Sequence, residues 1–183
     1  MVSRLNARLM AGVRRSLIER KEAPLLNQYT VLRLEIQLEV IPFLLTDATP
    51  ETIMSRPPSD QWSAQENLAH LARHHAVFLE RLHCILEESA PQFSRYSAEE
   101  DPAWPEWSCL SIEEILARLK ALRAEIIGLI KGLSQAETNR VGIHPLFGEM
   151  TLARWVEFFL LHEAHHLYVV MLRLGQGKAN IKL

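Results

Sequence analysis

Three of the chain's eight histidines fall within five positions of LLHEAHHLYVV, residues 160–170, and a glutamate follows the first of them. On an α-helix, residues four apart are separated by about 40° around the axis and about 6 Å along it. His162 and His166 have that spacing, so their imidazoles can share one divalent ion, and nitrogen donors suit zinc, nickel, copper or iron. His165, three residues from His162, can replace either partner on spacing alone. The stretch also matches H-E-x-x-H, with Glu163 in the general-base position of a zinc protease. That reading fails on the third ligand. No acidic residue follows Glu163, and the positions that the longer motif gives to glycine and histidine hold Val169 and Leu172.

A third ligand must then come from upstream. The best source is LAHLARHHAVF, which carries His70, His74 and His75. His70 lies two helical turns after Ser63, among Leu68, Leu71 and Val77, so its ring is expected to point inward. Three neutral imidazoles from two helices would leave coordination positions for water or substrate, as catalytic rather than structural sites do. His74, His75 and His83 read as ordinary surface or rim residues.

The elements that must position these groups are helical nearly throughout, and no window alternates with period two. A first helix is expected from about Leu25, opened by Pro24, to Leu45. Leu32, Ile36, Val40, Phe43 and Leu44 form its apolar stripe, and Pro42 is expected to kink or shorten its end. A proline-marked connector follows. The second helix starts at the capping box Ser63/Glu66 and runs to about Glu88. A connector of about twenty residues, PQFSRYSAEEDPAWPEWSCL, comes next. Its length suits a crossover, and its aromatic residues imply that it packs over something. Trp104 and Trp107 there could wall an apolar substrate pocket or simply fill core. A third helix begins at the capping box Ser111/Glu114 and carries an apolar face to about Leu133. The loop 134–150 leads to a last helix capped by Thr151 and ending near Gly175. Four such helices imply an all-α, four-helix bundle spanning residues 24–183.

Composition supports a folded domain. The chain has 183 residues, is 48% hydrophobic and carries a formal charge of −2, which argues against a broad nucleic-acid surface. No apolar run is long enough for a membrane span. Cys84 and Cys109 read as unpaired thiols of a reducing compartment, so the body reads as cytoplasmic. Residues 1–23 are a basic extension, read as a helical or frayed addition rather than a secretory signal.

WSAQENLAHL at 62–71 and HPLFGEMTLARWVEFFLLHEAHHLYVV at 144–170 resemble the DinB/YfiT-like superfamily. The shared pattern is a Trp-Ser cap, a histidine two turns into helix two, and H-x-x-x-H on the last helix. The resemblance covers nearly all of residues 25–175. It implies a four-helix bundle in which His70, His162 and His166 bind a divalent metal, nickel or zinc. His144 resembles the HP-x-F-G feature of one branch, and the resemblance does not make it a ligand.

For function, the resemblance implies a metal-dependent hydrolase or a transferase using a low-molecular-weight thiol such as bacillithiol or mycothiol. In either case the partner is a small molecule, and Glu163 or His165 is the expected proton acceptor. The alternative is a non-catalytic metal- or ligand-binding bundle of the stress-response kind. Bundles of this type commonly pair, so a homodimer is expected.

Overall fold

The computed structural model describes residues 26–179, with side chains to residue 175. The expected extension 1–23 and the helix start at Pro24 and Leu25 lie outside these residues. In chain order the elements are α1 Gln28–Ile36, a 3-10 turn Gln37–Glu39, α2 Val40–Leu45, α3 Pro50–Met54, α4 Ala64–Glu87, a 3-10 turn Ala98–Glu100, α5 Trp104–Ser108, α6 Ile112–Lys131, α7 Gln135–Thr138, β1 Val141–His144, β2 Gly148–Thr151 and α8 Leu152–Ala179. Four rods form the bundle: α1 with α2, then α4, α6 and α8. No described helix is long and apolar enough to cross a membrane.

The capping boxes do what their sequences imply. Ser63 accepts from the Glu66 backbone N–H while Glu66 returns the contact, and Ser111 pairs with Glu114 in the same way. Thr151 Oγ1 accepts from the Arg154 N–H at the start of α8. That last helix runs through Gly175 to Ala179. Pro42 acts upstream of its own position. Its ring has no N–H for the Leu38 carbonyl and crowds it, which explains why the chain tightens into a 3-10 turn at Gln37–Glu39.

The loop expected at 134–150 folds instead into α7 and an antiparallel hairpin with His144 opposite Gly148. The strands have four residues each, too short to show as alternation. Gly148 takes a left-handed φ of 66°, open to glycine at no steric cost. A Cβ on Gly142 would lie 2.9 Å from Ile85 and from Phe93, so glycine lets the hairpin press onto α4.

The core has two levels. One holds Leu34, Phe78, Leu82, Ile85, Ile126, Trp155 and Phe159. The other holds Ile41, Ile53, Leu68, Leu71, Ile115, Leu119, Leu167 and Val170. On α4 and α6 the chain passes from the second level to the first; on the first rod and α8 it passes the other way. Therefore α4 and α6 run parallel, and the long connector between them is a crossover. Between the two apolar levels every rod contributes polar side chains: Gln37, His70, His74 and His75, Arg123, and His162, Glu163 and His166.

The stripe read as the first helix's core face is exposed except for Leu44, which packs on the core. Leu32, Ile36, Val40 and Phe43 face outward, Phe43 at 77% exposure, while Thr30, Leu34 and Ile41 are buried. Polar pairing decides this rotation. Thr30 Oγ1 and Arg33 bind Glu157, and Gln37 Nε2 donates to the Leu160 carbonyl at 2.9 Å and to Glu163 at 2.8 Å.

Candidate metal centre

α4 and α8 run antiparallel, which sets the N-terminal part of α4 against the middle of α8. His70, His162 and His166 converge there, each offering one nitrogen within 4.8 Å of the others, and they are the only such group of three among the described residues. His70 Nε2 and His162 Nε2 face each other at 3.1 Å. His166 Nδ1 lies 2.9 Å from Asn67 Oδ1. An amide oxygen can only accept, so Nδ1 carries the proton and Nε2 keeps its lone pair for a ligand. Asn67 is itself held, its Nδ2 donating to the Ser63 carbonyl at 2.8 Å.

The electrostatics fit a cation. Burial pushes the His70 pKa down to about 4 and that of His166 to about 3, with neighbouring histidines adding to the latter. His162 is driven well below its ordinary value, first by burial and then by His166 and His70. The rings are neutral, as nitrogen ligands must be. His70 Nδ1 and His162 Nδ1 are buried without a protein partner. A divalent ion would take the two facing Nε2 lone pairs, which otherwise meet only each other.

The cluster opens into a cavity of about 580 Å³. Its far end is closed by His144, Leu146, Phe147 and Phe158, and the connector 94–100 roofs it. Asp101 pins that roof by pairing with Arg73 of α4 at 2.6 Å and accepting from the Tyr96 hydroxyl at 3.1 Å. Trp104 and Trp107 are partly buried against the core and do not line the cavity, although Trp104 backs Trp62 at 5.1 Å between ring centroids.

Glu163 and His165 are not brought to the cavity. Helical neighbours point about 100° apart, so Glu163 faces away from the cavity that His162 lines. It is fully buried and paired with Arg123. Burial lowers the Arg123 pKa to about 10, which leaves it charged at neutral pH. Arg123 also donates to the Leu34 carbonyl and to His75 Nε2. His75 Nδ1 is 2.7 Å from the Leu71 carbonyl. Burial and adjacent Arg123 keep its ring neutral, so its 3.2 Å approach to Glu163 is not an ion pair. His165 is exposed.

Sequence reasoning missed Asn67, His74, Arg81 and Glu99 at the site, and His75 beside it. His74 and His75 are buried, not at the surface, because α4 is packed on more than one side. His74 packs on His162 with the rings tilted, 3.9 Å between centroids, and lines the cavity. Its i, i+4 spacing from His70 was the available signal. Glu99 and Arg81 also line the cavity. Glu99 carried no signal, since only the folded connector brings it near His70. His83 is exposed, as expected.

The model of the DinB superfamily matches residues 33–170, most of the chain. The chain belongs to the DinB superfamily. It is 26% identical over 135 residues to the Oceanobacillus iheyensis protein named "Putative metal-dependent hydrolase OB0782", covering 72% of this chain and 78% of that one. YuaE of Bacillus subtilis is 25% identical over 135 residues, covering 67% and 83%. YfiT from Bacillus subtilis, a four-helix bundle of unusual topology, superposes with a TM-score of 0.69 at 19% identity over 82% of this chain and 86% of its own. TT2238, another four-helix bundle, gives 0.56 at 23% identity, covering 78% and 94%. As a DinB member the chain is a four-helix bundle with a three-histidine cluster.

Proposed function

We propose that this DinB protein is a metal-dependent hydrolase of small molecules, with His70, His162 and His166 holding one nickel or zinc ion. The observation that carries the reading is the convergence of three neutral imidazoles, with no fourth ligand grouped with them among the described residues, on a roomy cavity. The name of the Oceanobacillus relative supports it. When bound, a divalent ion supplies Lewis acidity that brings the pKa of water near 7. Asn67 orients His166, and tilted ring contacts from His74 and Trp62 hold the rings of His162 and His70. Glu99 at the cavity wall is the proton acceptor, in place of Glu163 and His165.

Elemental analysis should find about one ion per chain, largely lost in each of His70→Ala, His162→Ala and His166→Ala. In an esterase screen with metal restored, Glu99→Gln should keep the metal and lower turnover by about 100-fold. Full metal content in His70→Ala would overturn the site. The 580 Å³ of space beside the cluster also suits a second reactant. A low-molecular-weight thiol transferase is therefore the second reading, and strict thiol dependence of turnover would select it.

We also propose a homodimer. Tyr29, Ile36 and Phe43 on the first rod and Leu161, Tyr168 and Met171 on adjoining α8 are exposed, more large apolar surface than a single solvated helix face needs. Sedimentation should show a dimer that Phe43→Glu with Tyr168→Glu converts to monomer.

A further inference from the structure

We propose that the cavity holds the carboxylate of its substrate on Arg81 and His144, about two to three helical turns from the three histidines. This deepens the hydrolase reading and rests on it for the reaction, but the anion site can be tested without turnover.

The position follows from helix geometry. His70, His74 and Arg81 lie on one face of α4, with Arg81 seven residues beyond His74. The Arg81 guanidinium sits 5.7 Å from the Trp155 ring and 5.4 Å from the Phe93 ring. Trp155 precedes His162 by seven residues, about 10 Å along α8. The guanidinium therefore rests against both rings of an edge-to-face Phe93–Trp155 pair, at the far end of the cavity from the metal ligands.

Among the described residues no carboxylate lies within ion-pair distance of it, which is also true of Arg95, Arg140, Arg154 and Arg173. Of these unpaired arginines only Arg81 and Arg95 line the cavity, and Arg81 alone of the two is half-buried. Its one hydrogen bond goes from Nη2 to the Ser94 carbonyl at 2.9 Å. Burial lowers its pKa. A half-buried guanidinium with spare N–H groups facing a cavity is suited to a planar carboxylate.

His144 supplies a second donor. The backbone N–H groups of Leu146 and Phe147 donate to its Nδ1 at 3.1 and 3.2 Å. The proton of the neutral ring is therefore on Nε2, which makes no hydrogen bond among the described residues. Burial, and then the nearby Arg81 charge, disfavour protonation of that ring. Phe147 and Phe158 pack on it at 4.7 and 5.0 Å. The substrate class this describes has a carboxylate at one end, an apolar stretch against Phe147 and Phe158, and the hydrolysable group at the three histidines.

The test uses metal-free full-length protein, with 4-phenylbutyrate and the uncharged 4-phenylbutyramide as calorimetric probes. Wild type should bind the carboxylate about tenfold tighter than the amide. Arg81→Gln should erase that preference while amide affinity stays the same, and Arg81→Lys should restore part of it. Exposed Arg95 also lines the cavity, and Arg95→Gln should leave the preference intact. Equal binding of both probes by folded wild type, or a preference that survives Arg81→Gln, overturns the proposal. If Arg81→Gln proves unfolded by its thermal melt, loss of preference on adding a competing excess of acetate to wild type decides in its place. With metal restored, esters bearing a distal carboxylate should be turned over faster than their neutral counterparts. Carboxylate binding without any turnover would sink the hydrolase reading and leave the anion site standing.

Discussion

Two buried polar clusters occupy the middle level of the bundle and share the same pairs of chain neighbours. His74 and His162 face the cavity; His75 and Glu163, one residue on, face Arg123. The Arg123 side is complete. Glu163 is met by Arg123 and Gln37, and the remaining Arg123 donors reach His75 and the Leu34 carbonyl. The cavity side is unfinished: Nε2 of His70 and Nε2 of His162 meet only each other, at 3.1 Å. A satisfied ionic cluster ties rods together. A pair of neutral ring nitrogens facing each other beside open space is what a metal ion would complete.

That contrast can be broken first on the complete side. Arg123→Ala strands Glu163 in the core, and should cost about 3–5 kcal/mol in denaturant unfolding. A loss no greater than a surface substitution would show that the cluster is not structural. On the cavity side, Asn67→Ala frees His166 Nδ1 and should weaken metal affinity by about 10–100-fold, read by competition with a chelator. Unaltered affinity would remove Asn67 from the site.

The smallest effect concerns protons. His70 titrates near 4 in the folded chain, against an ordinary 6.5. Because the folded pKa is depressed, the unfolded chain takes up the proton first, and stability falls as pH drops below about 6.5. From pH 7.5 to 5.5, metal-free wild type should lose about 1.4 kcal/mol more than metal-free His70→Gln. Equal pH dependence of the two would mean that the folded ring protonates freely.

Much of the bundle was legible in the sequence because local chemistry specifies it. Ser63/Glu66 and Ser111/Glu114 are self-contained capping devices, and their helices begin where they say. His162 and His166 share a face by spacing alone. The facing of the first helix was misread, because its exposed apolar stripe outweighs its buried one and only Glu157 and Glu163 on a distant helix select the polar contacts. The hairpin was missed because its four-residue strands are too short to alternate. The facing of His75 and Glu163 was equally hidden, since each depends on a partner at least forty residues away.

By itself, then, the sequence determined the helices, their caps and the doublet of histidines four apart, since these rest on contacts within one or two turns. Tertiary structure decided which neighbour of each polar pair meets a partner and which meets the cavity. It also decided that Arg81, Glu99 and His144 share that cavity. The reason is that burial and charge compensation belong to the space between rods, where the crossover between α4 and α6 sets which side chains meet.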